Sequence, residues 1–270
     1  MAHLTLKLKA KPECRIDLSG LAPAIAAGSS LADLEKLTVS GGLTPVCLAD
    51  VFTLSGTPGD TITIAGGSDR LDGVGAGMTS GMLTIDGDVG NTAGQGMRGG
   101  RLEIHGSAGA YLGTGVRAGL IHISGSAGDY AGAVTAGHRF GMVGGTIVID
   151  GNLGARAGDK MRRGLILVRG HTGELAGSRM IGGTIIAEGG FGATPGQLMR
   201  RGTLIGPHAG RLLNTFADCG FHELVILSVM SRAWQRDLGP LAPKRFSHKV
   251  QRFAGDLATI GKGELLLTAS

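Results

Sequence analysis

The feature that most constrains this chain is self-similarity with a 19-residue step, visible in Leu83-Thr-Ile-Asp-Gly87, Leu102-Glu-Ile-His-Gly106 and Ile121-His-Ile-Ser-Gly125. After a seven-residue insertion at 134–140 the register resumes at Ile147-Val-Ile-Asp-Gly151, Ile166-Leu-Val-Arg-Gly170 and Ile185-Ile-Ala-Glu-Gly189. Residues 61–66 before and 204–206 after bring the total to about eight copies. Three further columns keep the spacing: Gly90, Gly109, Gly128, Gly154, Gly173 and Gly192; Gly94, Gly113, Gly132, Gly158, Gly177 and Gly196; and Met78, Met97, Val116, Met142, Met161, Met180 and Met199. A fixed period of this length marks units that bury their apolar faces by stacking on one another.

Each copy reads as a short alternating strand, a glycine corner, a second apolar piece, a second corner and a Met-centred third piece. The expected fold is all-β dominated: a right-handed, single-stranded parallel β-helix of about eight rungs over residues 60–206. A small strand-and-cap segment (1–59) precedes it and a partly helical tail (207–270) follows. Rungs stacked about 4.8 Å apart span on the order of 34 Å. Both glycine columns are expected at corners where the backbone reaches positive φ. Alternation turns Leu83 with Ile85, Leu102 with Ile104 and their equivalents inward, and the Met column fills a third wall. The outward positions change from Thr84, Glu103 and His122 to Val148, Leu167, Ile186 and Ile205. This apolar strip needs a cover, either the tail or another subunit.

The flanks carry weaker signals. Residues 4–9 suggest an edge strand, 31–37 a short helix and 46–54 a lead-in. Residues 216–234 are apolar and partly helical, 239–243 form a Pro-containing loop, and 252–267 close as a turn or helix followed by a strand.

Composition enters where it excludes classes. The 51 glycines do not recur every third residue, which rules out collagen. At 4% aromatic residues the chain lacks the platforms of nucleic-acid or polysaccharide binders. No apolar run reaches 18 residues, and the N-terminus alternates apolar with basic residues. The expectation is a cytoplasmic protein with neither membrane nor nucleic acid as partner. Cys14, Cys47 and Cys219 lack metal-ligand spacing and are expected to be buried thiols.

Gly94-Gln-Gly96-Met-Arg-Gly99 matches a dinucleotide fingerprint in letters, yet a strand follows it where that fingerprint needs a helix N-terminus. His105, His122, His138 and His171 form no ligand column, and Asp86, His105, Ser124, Asp150, Arg169 and Glu188 alternate in sign, as expected of a solvated face. No catalytic constellation and no metal site is expected. The functional candidates are arginines. Arg98, Arg117, Arg162 and Arg200 share one column, and Arg163 and Arg201 occupy the next. Stacked guanidinium groups repel unless carboxylates neutralise them. They mark either a solvated, salt-bridged face or contacts to an acidic ligand or partner. A hexapeptide-built acyltransferase helix counts 18 residues per rung, so the 19-residue count disfavours that enzyme class.

The run Gly94-Gln-Gly96-Met-Arg-Gly-Gly100 with Gly113-Thr-Gly115 resembles the GXGXG β-helix shared by the glutamate synthase C-terminal domain and the C subunit of formylmethanofuran dehydrogenase. The N-terminal Leu-x-Leu strand, Leu48-Ala-Asp-Val-Phe52 and the closing Phe253-Ala-Gly-Asp256 to Gly263-Glu264 resemble the latter specifically. This resemblance implies a non-catalytic scaffold in a one-carbon complex. The favoured complex is the bacterial formyltransferase/hydrolase complex, which moves formyl between tetrahydromethanopterin and a methanofuran-type carrier and releases formate. The alternatives are a molybdenum or tungsten formylmethanofuran dehydrogenase and a stand-alone glutamate-synthase-like domain. Partners would be formyltransferase and amidohydrolase-like subunits. The chain itself would hold no cofactor, while the carrier, with its glutamate-rich tail, would belong to the complex.

Overall fold

The protein is described by a computed structural model covering residues 2–40 and 45–268. Positions 1 and 269–270, at the ends of the expected flanking segments, and 41–44 within the first of them lie outside the described residues. Before the repeat come β1 (His3–Leu8), β2 (Ile16–Asp17), α1 (Leu21–Ala26), α2 (Leu31–Glu35), β3 (Thr38–Ser40), β4 (Pro45–Cys47), α3 (Leu48–Val51) and β5 (Phe52–Gly56). The repeat supplies β6 (Thr61–Ala65), β7 (Leu71–Asp72), β8 (Met82–Asp86), β9 (Arg98–Ile104), β10 (Ala118–Ile123), β11 (Thr146–Ile149), β12 (Leu165–Val168), β13 (Thr184–Ala187) and β14 (Arg201–Gly206). The tail forms β15 (Ala217–Glu223), α4 (Val225–Leu238), β16 (Lys249–Gly255) and β17 (Lys262–Thr268). The chain is mostly β, dominated by one mixed sheet of thirteen strands.

The 19-residue columns become registers. Ile62, Leu83, Leu102, Ile121, Ile147, Ile166, Ile185 and Leu204 pair in parallel from strand to strand, and the 134–140 insertion is bypassed without a slip. The two flanks lengthen this ladder: β1 pairs in parallel with β6, and β17 with β14. A second line of parallel bridges runs through Val89, Ala108, Ala127, Leu153, Thr172, Phe191 and Ala209. A third is carried by N–H groups that follow the Met column, such as Arg98 to Met78 O at 2.8 Å and Arg200 to Met180 O at 2.7 Å. The inward pairs and the whole Met column are buried, as alternation predicts.

The glycines divide by mechanism, which corrects the sequence reading. The column from Gly94 to Gly196 sits at φ of +60° to +72°, where L side chains are disfavoured. The column from Gly90 to Gly192 has no such φ. The left-handed residue of that corner lies two positions later, at Thr92, Tyr111, Tyr130, Arg156, Leu175 and Thr194 (φ +52° to +65°). Glycine is needed in the Gly90 column because successive rungs approach closely. A Cβ on Gly192 would lie 2.6 Å from the carbonyl carbon of Gly173.

The flanks depart from expectation at β1, while the tail is partly helical within 216–234 and closes through a turn into a strand, as expected. β1 is not the edge, because β5 folds back antiparallel on it, with Leu6 opposite Leu54, and takes the outer position. The apolar 216–234 stretch splits into exposed β15 and α4. The closing segment is a hairpin, β16 against β17, joined by a turn. Cys14 and Cys219 are exposed and Cys47 is half-buried, because Cys14 lies in a loop, Cys47 ends the short strand β4 and Cys219 lies on the exposed β15.

The apolar strip is covered by the tail. Val148, Leu167, Ile186 and Ile205 are fully buried in one cluster with Leu227 of α4, Val250 and Leu266. Burial of each such side chain contributes about 1.5–3 kcal/mol. The neighbouring charged column is therefore not a solvated face in its C-terminal half. Arg169 bridges Asp150 (3.2 Å) and Glu188 (3.4 Å), and Glu188 accepts from the Lys244 N–H at 2.7 Å. The Glu188 side chain, 4% exposed, is thereby tied to the tail.

Candidate functional site

The arginines follow directly from the rung geometry. Each Met points inward, so the next residue points out, and Arg98, Arg117, Arg162, Arg163, Arg200 and Arg201 are all exposed. They do not form one continuous stack. The hydrogen-bond register runs Arg98, Arg117, Val143, Arg162, Ile181, Arg200, so Val143 and Ile181 interrupt it and two clusters result. The interruptions keep Arg162 and Arg200 two rungs apart, which lessens their repulsion.

In the first cluster the 134–140 insertion folds beside Arg98 and Arg117. Together with Thr114, His138, Arg139 and Phe140 they line a cleft of about 340 Å³. The guanidinium groups of Arg139 and Arg162 stand 5.2 and 5.1 Å from the Phe140 ring centroid, a cation–π arrangement that ties the insertion to Arg162. Thr114 is 1% exposed, and among the described residues its Oγ1 has no hydrogen-bond partner. A buried hydroxyl in that state carries an unmet desolvation cost that a bound polar group relieves.

In the second cluster Arg162, Arg163, Arg200 and Arg201 line a groove of about 410 Å³ with Ile181 and Ile260. Several arginines elsewhere are paired, as Arg15 with Asp72, Arg101 with Glu103, Arg179 with Asp159 and Arg252 with Glu264. Among the described residues none of the six column arginines, nor Arg139, has a carboxylate within ion-pair distance.

The turn beneath the second groove is fixed by Asp256, 1% exposed, which accepts from the N–H of Leu198 (2.8 Å) and of Ala258 (2.9 Å). Burial pushes this carboxyl up, but the Thr215 hydroxyl and the two N–H groups outweigh burial and hold it below the usual carboxylate range. A carboxyl depressed in the folded state adds stability above its unfolded value of about 3.9 and loses it as pH falls through the folded one. Asp256→Asn should therefore lower stability at pH 7 by about 1–3 kcal/mol, with the gap from wild type closing below about pH 4. Urea unfolding at pH 7 and pH 3 measures both, and an equal gap at the two pH values would count against this account.

Sequence reasoning missed Thr114, Arg139 and Phe140, and weighed His138 only as a metal ligand. Their signal was the insertion itself, which breaks the period in the repeat after Arg117. It also gave no weight to Ser228, whose Oγ lies 2.9 Å from His248 Nδ1. That pair is exposed, and among the described residues no carboxylate bonds the imidazole, so a triad is not assembled. The glycine fingerprint at 94–99 runs into β9, a strand. His105 and His122 pair with Asp86 and Asp150, each at 2.9 Å.

These observations define a class: a repeat-built, mostly β protein that presents two unneutralised arginine clusters on one face. No model of a known protein family matches the chain. Over 86 residues it is 43% identical to the C subunit of the formyltransferase/hydrolase complex Fhc of Methylorubrum extorquens, a stretch spanning 32% of each protein. Across 98% of its length it superposes, at 41% identity and a TM-score of 0.90, on the whole of one chain in a crystal structure from that organism. That structure is of the formyltransferase/hydrolase complex FhcABCD bound to methylofuran. The chain belongs to the family formed by the C subunits of formyltransferase/hydrolase complexes.

Proposed function

We propose that this protein is the non-catalytic scaffold of a cytoplasmic formyltransferase/hydrolase complex and that its arginine face receives carboxylates of the carrier and of partner subunits. The observation that carries this reading is the arginine face, exposed and without carboxylate partners beside a cleft holding an unpartnered buried hydroxyl. Guanidinium forks suit carboxylate groups, and the relative's complex contains methylofuran. In this reading residues 60–206 coil as a right-handed parallel β-helix, supported by the three ladders that share one period. Residues 1–59 cap one end and 207–270 close the other, supported by β1 and β17 extending the ladder. No described helix is long and apolar enough to cross a membrane.

Arg98 and Arg117, with the insertion beside them, are assigned to the glutamate-rich tail of a methanofuran-type carrier. Native purification should recover the chain with formyltransferase-like and amidohydrolase-like polypeptides and with a furan carrier, without molybdenum or tungsten. In the purified complex Arg98→Glu/Arg117→Glu should reduce carrier content at least about tenfold while the subunits still co-elute, since losing two charge-assisted contacts removes more than about 1.4 kcal/mol. Mass spectrometry of the released carrier measures this. Unchanged carrier content removes these residues from the tail site. A pterin-bound metal in the purified complex transfers the protein to the dehydrogenase.

A further inference from the structure

The second arginine cluster carries a feature that a polyanionic tail does not explain, namely exposed aliphatic side chains around it. Leu257 is 57% exposed, Ile260 45% and Leu198 44%. Ile260 lines the groove with the four arginines, and Leu257 comes from the same turn. The chain's own fold does not require these residues. Leu198 sits at φ +57° in a column whose other left-handed members include Gly96, Gly115, Lys160 and Arg179, residues that leave the surface polar or bare. The turn is also held rigid. Asp256 anchors it through Leu198 and Ala258, and Thr259 Oγ1 donates to Met199 O at 2.7 Å. Lys262, opposite Arg201 in the β14–β17 ladder, extends the positive rim.

We propose that this groove is a protein-docking surface whose occupant is a subunit of the complex presenting an aliphatic centre ringed by Asp and Glu side chains. The inference rests on the scaffold reading above and divides the arginines: Arg98 and Arg117 for a carrier, Arg162, Arg163, Arg200 and Arg201 for a polypeptide. Charge complementarity decides the occupant. A second copy brings the same four unpaired arginines, so like charges meet across the interface. Nucleic acid satisfies the arginines but leaves Leu257 and Ile260 against phosphate and sugar, with no aromatic platform in the groove. An acidic protein surface satisfies both elements, with the apolar centre desolvated and the arginines at its edge.

The test uses the complex purified from cells. A zero-length carbodiimide reagent joins an amine to a carboxylate it touches, and in the native complex it should couple Lys262 to an Asp or Glu of another subunit. Leu257→Ser/Ile260→Ser, which leaves every charge in place, should weaken retention of this chain in the complex at least about tenfold, equally in low and high salt. Arg163→Glu/Arg201→Glu should weaken it by a similar factor in low salt, and wild-type and variant should converge as salt rises. Melting of the isolated chain should be unchanged for the serine pair, because both side chains are exposed. The proposal is overturned if the serine pair assembles like wild type while the glutamate pair does not, which assigns the groove to a free polyanion. It is equally overturned if Lys262 couples only to a second copy of this chain, or if nuclease treatment releases whatever the groove retains. A wild-type chain that co-purifies with no other subunit removes the scaffold reading itself, a result distinct from all of these.

Discussion

Gly173→Ala should destabilise the protein by at least about 3 kcal/mol, although it adds one methyl group at a position with ordinary backbone angles. The added Cβ would lie 2.7 Å from both the carbonyl carbon of Gly154 and the N of Ala155. These are backbone atoms of the preceding rung, so no rotamer change relieves the overlap. The rungs must separate, and the 2.7 Å bond from Gly173 N–H to Leu153 O lengthens with them. Gly115→Ala is the informative control. It has φ +66° with nothing within 4 Å of its Cβ, so its effect is only the left-handed backbone penalty of about 1–2 kcal/mol. Urea midpoints followed by far-UV circular dichroism separate the two. A smaller loss at Gly173 than at Gly115 would falsify the division of the glycine columns between close approach and left-handed turning.

That division shows where a sequence can be read and where it cannot. Period and column are local properties, and the registers through Ile121, Ile147 and Ile166 follow from spacing alone. The cause of each glycine is not local. Gly173 and Gly177 look alike as letters, yet one answers to the backbone of the preceding repeat and the other to its own φ. The same limit governs the candidate site. The arginines were legible because Arg follows an inward Met in a fixed column, and residue type plus alternation suffices for that. The cleft beside Arg98 and Arg117 was not, because its far wall is the insertion, which by breaking the period has no column to predict its path. Nor was Ile260, brought to Arg201 by the pairing of β14 with β17, two segments about sixty residues apart. The charged column misled for a related reason. Asp150, Arg169 and Glu188 read as surface residues until the tail, which no periodicity places, lies over them.

The tail's position sets the second large expectation, since covering the strip is the function of Leu227. Leu227→Asp puts a carboxylate at a site 1% exposed, in one apolar cluster with Val148, Leu167, Ile186 and Ile205. Such a change should remove at least about 4 kcal/mol. The lower-energy outcome is that α4 lifts off while the repeat keeps its ladders. Limited proteolysis should then cut within 207–250 and spare 60–206, and the exposed strip should make the chain associate as concentration rises. Ile226→Asp, one residue away but 56% exposed, should shift stability by no more than about 0.5 kcal/mol. Equal behaviour of the two variants would mean that α4 does not seal the strip. The contrast bears on assembly as well as on folding. If α4 seals the strip, Val148, Leu167, Ile186 and Ile205 are satisfied within the chain itself.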